Sequence, residues 1–352
     1  MRLYPIFQAK TYFTQPENID TALPTSLCAI RTRRTLSPCL IFILIHYIFE
    51  SFVYSAALSK GMTPNTMVNG GAITIGKWSP QNVDGTYRGM MTLRQAITVS
   101  RNTVNVRLAQ SMGVPYLLSY LQRFGFRKEQ LSVEPDISVA LGTASATPLQ
   151  AAEGYAVFAN GGYKISGYVI DKIYDSKGSL LAEMQPLTAG KNAPRVIDRK
   201  NAADITSMLL DVAQRGHGLH STIRLGRTDL AVETGSTEDK KDAWYVGYSP
   251  KIVTAVYVRY DIPKTIGARA WGGVVAGPVW VDYMGYVLNG TSVPRLDENS
   301  LRRPIIASTH LEGEVELMPI ERPKRQRVIS NERELKPINQ PSGNAKAVND
   351  LF

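Results

Sequence analysis

The pattern of apolar and polar positions changes its period near residue 230. Before that point, apolar side chains recur at helical spacing, in segments that open with capping residues and end at glycines. Thr92 with Gln95, and Thr147 with Gln150, match the capping box, in which a hydroxyl and an amide satisfy backbone donors at the helix start. This pattern predicts helices over residues 47–59, 92–99, 103–112, 147–160 and 202–213.

The first of these helices differs from the others because apolar residues occupy all of its faces. Phe52, Val53, Tyr54 and Leu58 do not fall on one stripe, and such a pattern is typical of a helix that is buried all round. Gly61 follows this segment, as expected of a residue just past a helix end.

Beyond residue 230 the chain carries short runs rich in Val, Tyr and Ile. These runs predict strands over residues 230–234, 243–248 and 252–260. Ser249-Pro250-Lys251 supplies a tight reversal between the last two strands, which should therefore pair antiparallel.

A last helix is predicted after these strands. Gly272-Gly273 opens it, the apolar run covers residues 274–288, and Gly290 closes it. Helices followed by a late antiparallel sheet and a returning helix indicate an α+β fold.

The two ends of the chain show neither pattern. Residues 1–46 contain an apolar run that reaches Ile45, but no small-residue cleavage site follows it, so they show no clear signal peptide or membrane anchor. Residues 293–352 mix basic residues with acids and prolines and contain few apolar ones, which predicts a disordered tail. We therefore expect one globular domain at residues 47–292.

Composition narrows the classes of function. The chain has 352 residues, of which 44% are apolar and 20% charged, the balance of a folded domain. Its net charge of +10 is spread along the chain without the interleaved aromatic residues of a nucleic-acid platform, so no nucleic-acid partner is expected. Four histidines and two cysteines, Cys28 and Cys39, give no metal-site spacing, and we predict neither a metal nor a cofactor.

Several strings of residues occur in order between residues 50 and 290. They include Phe52-Val53-Tyr54-Ser55-Ala56-Ala57-Leu58, Trp78-Ser79-Pro80-Gln81-Asn82, Thr92-Leu93-Arg94-Gln95-Ala96, Leu141-Gly142-Thr143, Tyr155-Ala156-Val157-Phe158-Ala159-Asn160-Gly161-Gly162 and Asp242-Ala243-Trp244-Tyr245-Val246-Gly247-Tyr248. Together these strings resemble the transpeptidase domain of class A penicillin-binding proteins, the bifunctional cell-wall synthases.

The resemblance implies the penicillin-recognition fold, an antiparallel sheet flanked by helices. In that family, two strands and a helix precede the nucleophile, and residues 1–46 resemble none of them. We therefore expect a truncated or frame-disrupted copy that lacks its N-terminal strands. Without those strands, the predicted strand at residues 252–260 would present an open edge.

The resemblance also implies acyl transfer in peptidoglycan cross-linking, at the periplasmic face of the bacterial cytoplasmic membrane. A family serine attacks the penultimate D-Ala carbonyl of a stem peptide, or a β-lactam, and an amine resolves the acyl-enzyme. This chemistry requires an activated hydroxyl, a base and an oxyanion hole. The family supplies them through the motifs S-x-x-K, S-x-N and K-[ST]-G.

Two of the three motifs can be placed in the chain. Ser100-Arg101-Asn102 is an intact S-x-N between two predicted helices, where the family has it. Glu233-Thr234-Gly235-Ser236 lies where K-T-G is expected, so Thr234, Gly235 and Ser236 are candidate substrate-binding residues. Glu233 reverses the sign of the family lysine.

The nucleophile motif is absent. Alignment on Phe52 puts Tyr47 at its serine and Glu50 at its lysine, and no serine of the chain is followed three positions later by lysine. A carboxylate at Glu50 could accept a proton, but no serine lies one helical turn before it. Ser51 and Ser55 lie on the same helix at displaced positions.

These substitutions lead to three hypotheses. The first is a catalytically inactive fragment of a penicillin-binding protein. The second is a pseudoenzyme that binds stem peptides or a cell-wall partner. The third is an acyltransferase that uses Ser51 or Ser55.

Overall fold

The computed structural model describes residues 26–31, 43–44, 48–131, 136–168, 170–218, 222–237, 239–260 and 262–293. Tyr47, Cys39 and the predicted tail beyond Val293 lie outside these residues, as does most of the segment before residue 47. The described residues fall into two units. The larger runs up to Gly167 and resumes at Leu187, and the smaller is Tyr168–Pro186.

A four-stranded sheet forms the centre of the larger unit, with the three late strands side by side and an early strand at one edge. Strand β9 (Asp242–Tyr248) lies between β8 (Ala231–Ser236) and β10 (Ile252–Arg259) and runs antiparallel to both. The three late strands and the antiparallel pairing of the last two are therefore confirmed. All seven residues of β9 are buried, as expected of a central strand covered on both faces.

The fourth strand corrects the expectation of an open edge. Strand β1 (Ser26–Arg31) pairs in parallel with β10, with Ser26 opposite Ile252 and Arg31 opposite Tyr257. The expectation that the chain lacks every strand before residue 47 is therefore wrong. Sheet pairing uses backbone N–H and C=O groups, so a short segment without a marked side-chain pattern can still cover an edge.

The helices begin close to their predicted starts. The capping boxes at Thr92 and Thr147 are both formed, so these two start signals are confirmed. The helices are α1 (Glu50–Ser59), α2 (Leu93–Thr98), α3 (Asn102–Met112), α4 (Val114–Gln122), α5 (Pro148–Ala159), α6 (Arg199–Arg215), α7 (Gly272–Val275) and α8 (Gly277–Val287).

Two helices depart from the prediction for a shared reason. The final helix, predicted as one piece, is broken at Ala276 into α7 and α8, and Pro278 lies in the first turn of α8. Helix α4 was not predicted, and Pro115 lies in its first turn. Proline lacks the N–H that a helix interior requires but fits the first turn, so each proline starts a new helix.

Short ladders complete the described chain. In the larger unit, β2 (Ile43–Leu44) pairs with β5 (Ser145–Ala146), and β3 (Met67–Asn69) pairs with β4 (Met90–Thr92). The smaller unit contains the hairpin of β6 (Lys172–Tyr174) and β7 (Leu180–Glu183). Among the described residues, no helix combines the length and hydropathy that crossing a bilayer would need.

Helix α1 is the centre of the core, as its all-round apolar pattern predicts. Every residue from Glu50 to Leu58 is buried. The ring of Phe52 lies 5.0 to 5.5 Å from five other aromatic rings, most of them in edge contact. These rings belong to Phe49, Phe124, Phe126, Tyr155 and Phe158. This packing fixes the position of the helix that carries Glu50.

Substituting Phe52→Ala is expected to destabilise the fold by about 3–5 kcal/mol, because it leaves a cavity at the centre of the ring cluster. Urea unfolding measures this loss. Tyr286→Ala removes an aromatic side chain that is 79% exposed, and serves as the size-matched control. The control is expected to cost about 0.5 kcal/mol or less. Equal losses in the two variants would contradict the packing described for Phe52.

Candidate active site

Ser100 and Glu50 are in direct contact. The Ser100 Oγ donates a hydrogen bond of 2.7 Å to Glu50 Oε1. Glu50 is fully buried at the start of α1, whereas Ser100 is partly buried in the turn between α2 and α3. No serine lies one helical turn before Glu50, but the fold brings Ser100 of the S-x-N motif into contact with it.

The turn that holds Ser100 is tightly constrained. Ser100 has a φ of 47°, in the left-handed region that residues other than glycine rarely adopt. The next residue, Arg101, is buried and its two terminal nitrogens lie 2.7 and 2.8 Å from the carboxylate of Asp84. This bidentate pair anchors the turn and directs the Ser100 side chain toward α1.

Glu233 is the second buried carboxylate of the site. Its Oε1 accepts a hydrogen bond of 2.8 Å from the backbone N–H of Thr234 and lies 2.6 Å from His217 Nε2. Glu233 is fully buried on β8, and the His217 side chain is 23% exposed. Buried carboxylates require a charged or hydrogen-bonding partner, and His217 is that partner here.

The packing of α2 against α6 brings the segment that holds His217 close to the end of α2. Arg94 on α2 donates to the Ser207 carbonyl at 2.9 Å and to Asp211 Oδ2 at 2.8 Å, which joins the two helices. After α6 the chain passes so close to α2 that a Cβ on Gly216 would lie 2.3 Å from the carbonyl oxygen of Thr98. Only glycine fits there, and the next residue is His217.

The charges of this cluster are strongly coupled. Burial, reinforced by the charge of Glu233, raises the pKa of Glu50 to about 8, against the opposing effects of Ser100 and His217. Burial alone would lower the pKa of His217, but the carboxylate of Glu233 outweighs it and raises that pKa. Burial and both carboxylates raise the pKa of the Tyr54 hydroxyl well above its ordinary value. Glu50 therefore holds its proton at neutral pH.

Several polar atoms of the cluster have no hydrogen-bond partner among the described residues. They are Oε2 of Glu50, Oε2 of Glu233, Nδ1 of His217 and the hydroxyl of Tyr54. Glu233 thus has spare acceptor capacity on the buried side of the site. No group of three or more His, Cys, Asp or Glu side chains in the described part of the chain is arranged to hold a metal ion.

Ser51 and Ser55 are oriented away from this cluster into the core. Ser51 Oγ lies 3.0 Å from the hydroxyl of Tyr155. Ser55 Oγ donates to Asn201 Oδ1 at 2.7 Å and lies 2.7 Å from the hydroxyl of Tyr120. Both serines are fully buried and neither contacts a base. Neither residue is therefore placed to act as the nucleophile of an acyltransferase.

The other candidate residues have separate partners. Asn102 starts α3 and donates from Nδ2 to the Gln81 carbonyl at 2.7 Å. Thr234 is partly buried on β8, which lies at one end of the described sheet. Gly235 is buried beside it, and Ser236 Oγ accepts a hydrogen bond of 2.8 Å from the N–H of Gly272 at the start of α7.

The cluster joins Ser100, Glu50 and Glu233 of the predicted set, and adds two residues that sequence reasoning missed. His217 lies in no recognised motif, and Tyr54 reads as an ordinary apolar position of α1. A weak signal existed for His217, because it is one of four histidines in the chain. Its contact with Glu233 spans 16 residues and depends on the path of the chain after α6.

Lowering the pH from about 8 to about 5 is expected to stabilise the folded chain. The pKa of Glu50 rises from 4.5 to about 8 on folding, so its contribution to stability is complete below the lower value and is lost as the pH rises through the higher one. His217 acts in the same direction. Melting temperatures across this pH range measure the effect.

The variant Glu50→Gln is the matched control for this prediction. It should show a flatter dependence on pH and melt higher than the unmodified chain at about pH 8, because it buries no charge there. Identical pH profiles for the two proteins would show that Glu50 does not carry the effect.

Solved structures share this fold. The crystal structure of penicillin-binding protein 1A from Haemophilus influenzae matches with a TM-score of 0.68 and 31% identity, over 73% of this chain and 44% of that one. PonA1, a penicillin-binding protein from Mycobacterium tuberculosis, matches with a TM-score of 0.64 and 25% identity, over 74% of this chain and 72% of that one.

Sequence relatives and a family model agree with these structures. Penicillin-binding protein 1A of Neisseria flavescens is 51% identical over 252 residues, which cover 70% of this chain and 31% of the relative. The protein of the same name from Pseudomonas aeruginosa is 37% identical over 291 residues, which cover 68% of this chain and 35% of the relative. The chain thus spans about a third of the length of these curated relatives.

The family model for the penicillin binding protein transpeptidase domain matches residues 48–285. That range contains Ser100, Glu50, Glu233 and His217, and it holds most of the described fold. Together with the identity to the 1A proteins, it shows that the chain belongs to the penicillin-binding protein transpeptidase family, in its 1A-like class A branch.

Proposed function

We propose that this chain keeps the scaffold of a peptidoglycan transpeptidase but does not carry out the serine–lysine acyl transfer of its family. By the resemblance, Tyr47 stands at the nucleophilic serine, and Glu50 and Glu233 stand at the two lysines. A penicillin or a stem peptide would then meet neither the hydroxyl nor the ammonium groups that form the acyl-enzyme. The family role in cross-linking, at the periplasmic face of the membrane, would be lost in this chain.

The observation that carries this proposal is the burial of two acidic side chains in one cluster. Burial, and after it the charge of Glu233, raises the pKa of Glu50. Two like charges about 4 Å apart repel by about 4 kcal/mol at an effective dielectric constant of 20. An anionic substrate carboxylate near Glu233 would be repelled in the same way, where a lysine would attract it.

A second candidate function is non-catalytic binding of a stem peptide. It is favoured by the position of β8, which forms one end of the described sheet and carries the partly buried Thr234. An edge strand can accept an added peptide strand through its backbone. Binding of this kind would not require the missing nucleophile.

A fluorescent penicillin is expected to leave no covalent adduct on this chain, because no hydroxyl is paired with a lysine in the nucleophile motif. Intact-protein mass spectrometry and in-gel fluorescence detect such an adduct. An adduct at the residues of any of the three motifs would overturn the proposal. A purified, active penicillin-binding protein 1A, labelled in parallel, is the positive control.

Combined reversion tests whether the three substitutions are the cause. The triple variant Tyr47→Ser, Glu50→Lys, Glu233→Lys should regain penicillin labelling, because it restores the hydroxyl and both ammonium groups. The double variant Glu50→Lys, Glu233→Lys is the matched control and should stay unlabelled. A folded triple variant that fails to label would show that the loss has a different origin.

For the second candidate, a peptide ending in D-Ala-D-Ala should bind Glu233→Gln several-fold more tightly than the unmodified chain, since that variant removes one repulsive charge. Calorimetry at low salt measures the two affinities. Glu129→Gln, which alters an exposed carboxylate, is the control and should leave the affinity unchanged. No binding to any of these proteins would exclude the peptide-binding function.

A further inference from the structure

The turn between α2 and α3 presents a serine hydroxyl to a buried carboxylate, in the arrangement of a nucleophile and its base. We propose that Ser100 and Glu50 form a nucleophile–base pair that takes acyl groups from small uncharged esters and hydrolyses them. This activity goes beyond the proposed function, because it uses a hydroxyl and a substrate class that differ from those of D,D-transpeptidation.

The geometry of the pair meets the requirement for an activated nucleophile. The hydrogen bond of 2.7 Å from Ser100 Oγ to Glu50 Oε1 directs the hydroxyl proton of Ser100 at the base, without an intervening water. Backbone hydrogen bonds from Ser100 to Ile97 and from Arg101 to Ala96, of 3.0 and 3.1 Å, hold the turn. The hydroxyl is therefore fixed before any substrate arrives.

The backbone of Ser100 supports the same inference. A serine with a φ of 47° is strained, and such residues persist where the surrounding structure fixes them, commonly at functional sites. Ser100 is also only partly buried. By contrast, Ser51 and Ser55 are fully buried and are bound to hydroxyl and amide groups.

Glu50 is suited to act as the base in mildly alkaline solution, where it loses its proton. The charged and titratable groups that face it are Glu233 from β8, His217 from the segment after α6, Tyr155 from α5 and Tyr54 from its own helix. Burial and Glu233 place its ionisation close to the working range of a general base. The ionised fraction, and with it the basic form of the pair, grows as the solution becomes more alkaline.

The electrostatics of the cluster define the substrate class. Glu233 and ionised Glu50 repel a substrate that carries its own carboxylate, which disfavours stem peptides and β-lactams with that group as acyl donors. A short, uncharged ester pays no such penalty. Its acyl group must also be small, because Glu50 and Glu233 lie fully buried behind the serine.

The reaction consumes the ester and one water molecule, and needs no other reagent. Ser100 Oγ forms a bond to the ester carbonyl carbon while its proton passes to the carboxylate of Glu50. The bond from that carbon to the alcohol oxygen breaks, and the departing oxygen takes the proton from Glu50. Water then repeats the attack on the acylated serine, with Glu50 again receiving and returning the proton, and the products are one acid and one alcohol.

The test uses the full chain with p-nitrophenyl acetate as the probe. The unmodified protein should carry an acetyl group on the peptide that contains Ser100, found by peptide mass spectrometry. It should also release p-nitrophenolate faster than Ser100→Ala does. After the buffer rate is subtracted, the rate of the unmodified chain should exceed that of the variant by at least about tenfold. Ser111→Ala, which removes an exposed serine on the neighbouring helix α3, should behave like the unmodified chain.

The dependence on pH identifies the base. The Ser100-dependent rate should rise with pH to a plateau, with its midpoint near the pKa of Glu50, about 8. In Glu50→Gln that rate should fall by about a hundredfold, within the usual contribution of a general base. Melting curves confirm that the variants are folded.

Two results would overturn the proposal. The first is an unmodified protein that becomes acetylated on lysines but carries no acetyl group on the Ser100 peptide. This result does not depend on the folding of any variant. The second is an equal rate for folded Ser100→Ala and the unmodified chain. Neither result bears on penicillin labelling, so failure here is distinguishable from failure of the proposed loss of transpeptidation.

Discussion

Helix α1 is buried on every side, and this constraint governs the site. A helix packed in this way gives its side chains no route to water, so Glu50 must find its partners within the protein. The Phe52 ring cluster holds the helix in place, and the carboxyl group of Glu50 consequently meets Ser100 at a fixed distance. Its raised pKa is the direct consequence of that burial.

The second buried acid, Glu233, couples the ionisation of Glu50 to the charges around it. Glu233 adds negative charge that acts on Glu50, and His217, which is paired with Glu233, offsets part of it. In a protein interior such charges are retained when each has a partner, and a proton on Glu50 serves that purpose where no cation is available. The resulting cluster is electrostatically the reverse of a site built around two lysines, which is why the proposed function departs from the family reaction.

The structure also changes the reading of two serines and one strand. Ser51 and Ser55, which lie near the missing nucleophile in sequence, bond to Tyr155 and Asn201 in the core. Strand β1 covers the edge of β10 that the sequence left open. Both outcomes follow from packing partners that are distant along the chain, and neither has a signature in local residue pattern.

Local signals were sufficient for much of the fold. The capping boxes at Thr92 and Thr147 specify helix starts because their hydrogen bonds join residues three apart. The reversal after Tyr248 likewise specifies the pairing of β9 with β10. By contrast, the periodic pattern predicted neither α4, which has Pro115 in its first turn, nor the break before α8, which has Pro278 in its first turn. The apolar pattern does not register that proline is excluded from a helix interior.

For the site, the sequence by itself determined which side chains stand at the motif positions, including the acids Glu50 and Glu233 and the intact Ser100. Only the tertiary structure decided that Ser100 bonds to Glu50, across 50 residues, and that His217 pairs with Glu233. Hydrogen bonds act over about 3 Å, and such distances are set by the packing of α1, α2 and α6 rather than by spacing along the chain.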